Sequence, residues 1–71
     1  MTPTRDPRVD PHSGDVLRRG TTVRRVELVV EGHAMRILET EGKAKHTRYT
    51  YPSVNQFRRW ARNATVEVRA E

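Results

Sequence analysis

The chain contains no cysteine. No disulfide and no thiolate-bound zinc can hold it together, and this fits a reducing compartment. Large aromatic groups are scarce: one Trp, one Phe and two Tyr. No apolar run approaches the length of a membrane span, so no membrane partner is expected. The start, Met1-Thr2-Pro3-Thr4-Arg5-Asp6-Pro7, lacks the apolar stretch of a secretory signal. The four glycines, Gly14, Gly20, Gly32 and Gly42, stand singly at turns, which excludes a glycine-rich phosphate loop. His12, His33 and His46 are far apart and show no paired metal-ligand or His/carboxylate spacing. Read together, these absences predict a protein that is not an enzyme, with no metal and no cofactor.

What is present is positive charge. The 71 residues carry 14 Lys and Arg against 9 Asp and Glu, a net charge of +5, and all but Lys43 and Lys45 of the basic residues are arginine. The surplus lies in the second half of the chain. Such a balance suits phosphate or an acidic protein surface. The plain alternative is a solvated surface rich in arginine. A chain this short forms one domain and buries only about 60% of its unfolded surface, so its core is thin.

Residues 1–14 hold Pro3, Pro7 and Pro11. Proline fixes φ and keeps the preceding residue out of the helical region. The segment is expected to be a flexible arm, with Val9 as its apolar anchor. Residues 15–71 are expected to fold as one small domain. Val16–Arg19 reads as a first strand after the Ser13-Gly14-Asp15 turn. Thr22–Glu31 is the strongest strand, with Val26, Leu28 and Val30 alternating against Arg25, Glu27 and Val29. Val23 and Val26 are out of phase, and a bulge near Arg24-Arg25 would bring both inward. Gly32-His33 is the next turn. Ala34–Thr40 places Met35 and Ile37 on one face, Glu41-Gly42-Lys43 forms a second hairpin turn, and Ala44–Tyr51 is a fourth strand with Tyr49 and Tyr51 on a shared face.

Pro52 ends that strand and a helix follows, about 53–63. Ser53 and Gln56 make a capping box. Val54, Phe57, Trp60, Ala61 and Ala64 form one apolar stripe, with Arg58, Arg59 and Arg62 off it. Thr65–Arg69 alternates as a closing strand. Four strands, a short helix and a strand describe a mainly β fold, a small five-stranded SH3-like barrel in which the last strand pairs with the first. An open antiparallel sheet with the helix on one face is the alternative.

Asp6-Pro7-Arg8-Val9-Asp10-Pro11, Gly14-Asp15-Val16-Leu17, Arg25-Val26 and Phe57-Arg58-Arg59-Trp60-Ala61 together resemble a group of small proteins encoded by bacteriophages, prophages and their bacterial hosts. The Gly-Asp-Val-Leu start is also similar to the first strand of many SH3-like and KOW-type barrels. The resemblance implies a bacterial or phage origin and a cytoplasmic site of action. It implies no active site. Small phage proteins of this kind often bind a host machine, such as a polymerase, a nuclease or a defence complex, and redirect or block it.

The candidate site follows from the charge. Lys43, Lys45 and Arg48 come from the hairpin that precedes the helix, and Arg58, Arg59 and Arg62 from the helix. In a compact fold they could merge into one basic surface for nucleic acid or a nucleoprotein complex, held by salt-sensitive phosphate contacts. Tyr49 and Tyr51 would add stacking platforms if they faced outward. A thin core argues instead that they, Phe57 and Trp60 are buried. Arg18, Arg19, Arg24 and Arg25 flank Gly20 as a second basic cluster. The same arginines could pair with the carboxylates of an acidic host protein. A second copy of the chain is a further candidate partner, by way of the Pro-rich arm.

Overall fold

The computed structural model describes residues 5–30, 34–42 and 46–70. They form five strands and one helix: β1 (Val16–Arg19), β2 (Thr22–Val29), β3 (Met35–Glu41), β4 (His46–Thr50), α1 (Val54–Ala61) and β5 (Thr65–Val68). All pairings are antiparallel, and the sheet order is β4-β3-β2-β1-β5. The last strand therefore returns to the first, as the connectivity predicts. Closure into a barrel is a different matter. Among the described residues no ladder joins β4 to β5, and the sheet is open. The helix carries the chain from one edge strand to the other over the inner face, which keeps the two edges apart.

The local reasons for these elements are direct. Gly20 adopts φ +61°, the left-handed conformation that lets a two-residue turn join the paired residues Arg19 and Thr22. Ser53 caps α1: its side chain accepts from the Gln56 N–H while the Gln56 side chain accepts from the Ser53 N–H. Both capping-box bonds are thus made, and two orphan donors at the helix start are satisfied. The Gly32-His33 turn and the Lys43 end of the following turn lie outside the described residues.

The core lies between the inner face of the sheet and the helix. Leu17, Met35, Ile37, Phe57 and Ala61 are fully or almost fully buried, joined by Val26 and Ala64, and Val29, Val54, Trp60 and Val66 pack around them. Met35 and Ile37 share a face as their alternation requires. β2 departs from the expected phase. Its register to β3 slips between Val26, which opposes Ile37, and Leu28, which opposes Arg36. One extra residue, Glu27, is accommodated there, so the bulge falls four residues after Val23 rather than at Arg24-Arg25. Such an insertion reverses the facing of everything beyond it. Val26 and Val29 point inward, while Leu28, expected beside Val26, is 52% exposed. Val23 stays half-buried opposite Thr40 on the outer face, and Arg24 takes the inner position opposite Leu17.

Residues 5–14, expected as a flexible arm, make specific contacts with the body. Pro7 and Pro11 are buried. Asp15 is fully buried and accepts four hydrogen bonds: Arg5 Nη1 at 2.6 Å, Arg5 Nη2 at 2.8 Å, the His12 N–H at 2.7 Å and the Ala70 N–H at 2.7 Å. Arg5 Nη2 also donates to the Ala70 carbonyl at 2.6 Å. One carboxylate thus ties together the arm, the entry to β1 and the end of the chain. Burial works against its ionisation. The Arg5 guanidinium and the two backbone N–H groups outweigh burial and hold the carboxyl below its ordinary range.

Candidate nucleic-acid interface

A helix turns about 100° per residue, so Phe57 and Ala61 point to the core while Arg58 and Arg62 share one flank and Trp60 takes the other. The two flanks meet different neighbours. On the first, Arg58 Nε donates to the Val9 carbonyl at 2.7 Å, and Arg58 and Arg62 line a cleft of about 290 Å³ with Asp6, Arg8 and Val9. Arg8 is itself engaged by Asp6 at 3.1 Å. Arg62 and Arg59 are exposed and have no side-chain partner among the described residues.

On the second flank, Trp60 packs against Phe57 with ring centroids 5.9 Å apart, and the Arg24 guanidinium lies 4.5 Å from the Trp60 ring. Arg24 Nε donates to Glu39 Oε2 at 2.7 Å, and Arg48 Nε and Nη2 donate to Glu39 Oε1 at 3.1 and 3.0 Å. Glu39 is only 4% exposed. Its burial opposes ionisation, but the bonds from Arg24 and Arg48 prevail and keep its carboxyl below the ordinary Glu range. β-strand register explains the cluster: Arg24 and Arg48 both stand opposite Glu39, on the inner face. Arg48 therefore lies on the helix side of the sheet, linked to the last turn of α1 through Glu39, Arg24 and Trp60.

The predicted basic surface is thereby sorted. Arg58 and Arg62 come together beside Arg8. Arg48 is joined to Glu39, although its side chain remains 71% exposed. Lys43 and Lys45 lie outside the described residues. The second cluster is divided by strand alternation. Arg18 pairs with Glu67 at 2.8 Å and Arg25 with Glu27 at 2.8 Å. Arg24 belongs to the inner network, and Arg19 is exposed.

Burial of the aromatics also divides. Phe57 is fully buried and Trp60 is half-buried against the core. The tyrosines differ from the buried expectation: Tyr49 is 46% and Tyr51 68% exposed. Tyr49 opposes Leu38, on the face away from the helix, and the Arg36 guanidinium lies 4.3 Å from its ring. The core is filled by Leu17, Met35, Ile37 and Phe57, so the tyrosines are not needed there.

Sequence reasoning missed Asp15 and Arg36. Asp15 carried only a turn signal beside Gly14. Arg36 belonged to neither of the two basic clusters. The one available sign was its place two strand positions from Leu38, opposite a strand that carries Tyr49.

No helix among the described residues is long and apolar enough to cross a membrane. Compared with protein-family models, curated proteins and solved structures, the chain matches none.

Proposed function

We propose that this chain is a non-enzymatic binding module that engages nucleic acid, or a nucleoprotein complex, through phosphate contacts from the arginines at the end of α1. The observation that carries this reading is the contrast among its cations. Arg18, Arg24, Arg25 and Arg48 are matched to carboxylates, whereas Arg59 and Arg62 are exposed without a side-chain partner among the described residues. Arg62 also faces the cleft that Arg8 and Arg58 share. Guanidinium groups presented this way suit phosphate oxygens and carry little base information. The return of β5 to β1, with a helix just before it, supports reading the sheet as an SH3-like barrel left unclosed by hydrogen bonds. A cytoplasmic role in a bacterial cell, with a phage origin, remains the reading that the resemblance suggests.

The same bare guanidiniums fit the carboxylates of an acidic host protein, and that is the rival reading, a phage-type modulator. Fluorescence anisotropy with a labelled random-sequence duplex at 50 and 200 mM salt separates the two. Binding that weakens steeply with salt, and that is lost in Arg59→Glu/Arg62→Glu, is the expected result. No binding at low salt would overturn the nucleic-acid reading. Specific capture of one host protein, unaffected by nuclease and lost in the same double variant, would establish the rival.

A further inference from the structure

The outer face of the sheet carries a feature that the helix arginines do not account for. Leu28, Val30, Tyr49 and Tyr51 are 52%, 47%, 46% and 68% exposed. They lie at one end of the sheet. Leu28 opposes Arg36 across β2 and β3, and Leu38 opposes Tyr49 across β3 and β4. Beyond β4 the same register continues: the Met35 N–H donates to the Pro52 carbonyl at 2.9 Å, and Ala34 bridges Ser53. That register sets Tyr51 beside Arg36. The bulge at Glu27 is what turns Leu28 outward to join them. Two of the four aromatic rings in the chain are thus spent on solvent, in a protein whose core is thin.

The chemistry of the patch is selective. Tyr49 and Tyr51 are two positions apart on an extended strand, about 6.6 Å along the chain, which gives one ring to each of two successive bases. Arg36 lies over the Tyr49 ring, so a fixed cation stands beside the π surface. The carboxylate nearest along β2, Glu27, is already held by Arg25 at 2.8 Å. The face therefore offers π surface, apolar surface and positive charge together. Flat rings joined by negative phosphates complement all three, and in a duplex those rings are stacked on one another and cannot be reached.

We propose that this face is a stacking platform for unpaired bases of single-stranded nucleic acid, with Tyr49 and Tyr51 as the platforms and Arg36 as the orienting cation. The proposal rests on the nucleic-acid reading above and specifies the form of the ligand. The arginines of α1 would hold phosphates of any strand. The tyrosines would hold only exposed bases, whatever their sequence.

The experiment compares three labelled probes of equal length by anisotropy: a thymidine 12-mer, an abasic 12-mer with the same phosphates, and a 12-base-pair duplex. The wild-type chain should bind the thymidine strand about tenfold or more tighter than the abasic strand. Tyr49→Thr/Tyr51→Thr should bring the thymidine strand down to the abasic level and leave the abasic and duplex affinities unchanged. Tyr49→Phe/Tyr51→Phe keeps both rings and should bind as wild type. Tyr51→Thr alone, at the more exposed position, keeps the test informative if the double variant folds poorly, with a drop of about fivefold or more expected. Equal affinity for thymidine and abasic strands, or equal behaviour of the Phe and Thr pairs, would overturn the stacking proposal while leaving the phosphate reading intact. Failure of all three probes to bind would overturn both. A wild-type dimer that dissociates in the Thr pair, seen by sedimentation without any change in strand binding, would assign the face to contact between copies and overturn the proposal.

Discussion

The two faces of the sheet use the same residue types for opposite purposes. On the inner face an arginine over an aromatic ring, Arg24 on Trp60, is also bonded to Glu39, and Glu39 is bonded again by Arg48. On the outer face an arginine over an aromatic ring, Arg36 on Tyr49, has no carboxylate partner among the described residues. Inside, the carboxylate comes at the cost of burial and is compensated, which is the only way a charge is kept in a core. Outside, the charge is left to solvent or to a ligand. The difference teaches that a cation on a ring is a structural joint when a buried carboxylate completes it and an open contact when none does.

The contrast can be broken from its structural side first. Phe57→Ala removes a fully buried ring and should cost about 3–5 kcal/mol, enough to abolish a cooperative urea transition in so small a domain. Asp15→Ala should cost about 3 kcal/mol, because it takes the carboxylate away from the Arg5 guanidinium and from the His12 and Ala70 backbone donors at once. Urea melts of the single and paired Arg5 and Asp15 variants would show strong coupling, and additive losses would refute the clamp. Removing residues 1–12 should destabilise the chain to a similar degree, since it takes Arg5 away.

The next effect is on pH. Asp15 and Glu39 have carboxyls depressed in the folded state, so the stability they add is present above their unfolded values and is lost as pH falls through the folded ones. Thermal stability should therefore decline below about pH 4, and Glu39→Gln should flatten part of that decline. An unchanged profile in Glu39→Gln would show that the Arg24–Glu39–Arg48 group is not the acid-sensitive joint. The smallest effect is expected outside. Tyr51→Thr should change stability by less than about 0.5 kcal/mol, and a larger loss would show that the outer face supports the fold instead of a ligand.

Much of the architecture was legible because it is local. The Ser53/Gln56 capping box, the apolar stripe through Phe57 and Ala61, the alternation of Met35 and Ile37 and the turn at Gly20 each depend on residues a few positions apart. The bulge at Glu27 was not legible. It falls beyond the last β1–β2 pair, Val16 with Arg25, and no residue type at 27 announces it. That one insertion moved Leu28 to the face opposite to the one the alternation suggested, while Arg24, two positions before Val26, kept the inner face. The basic site was legible as composition and only partly as geometry: Arg58 and Arg62 share a flank by helical spacing, whereas the engagement of Arg48 by Glu39 required the β3–β4 register.

By itself the sequence determined the order of elements, the helix start, the meander and the excess of arginine, because dihedral preferences, period and charge are properties of neighbouring residues. Only the tertiary structure decided which arginines are spent and which remain. It decided that Asp15 would gather Arg5 and Ala70, residues from opposite ends of the chain, and that Tyr49 and Tyr51 would stand in solvent. The reason is that burial is a competition for one small volume. Leu17, Met35, Ile37 and Phe57 fill it, and no stretch of the chain read alone carries the result of that competition.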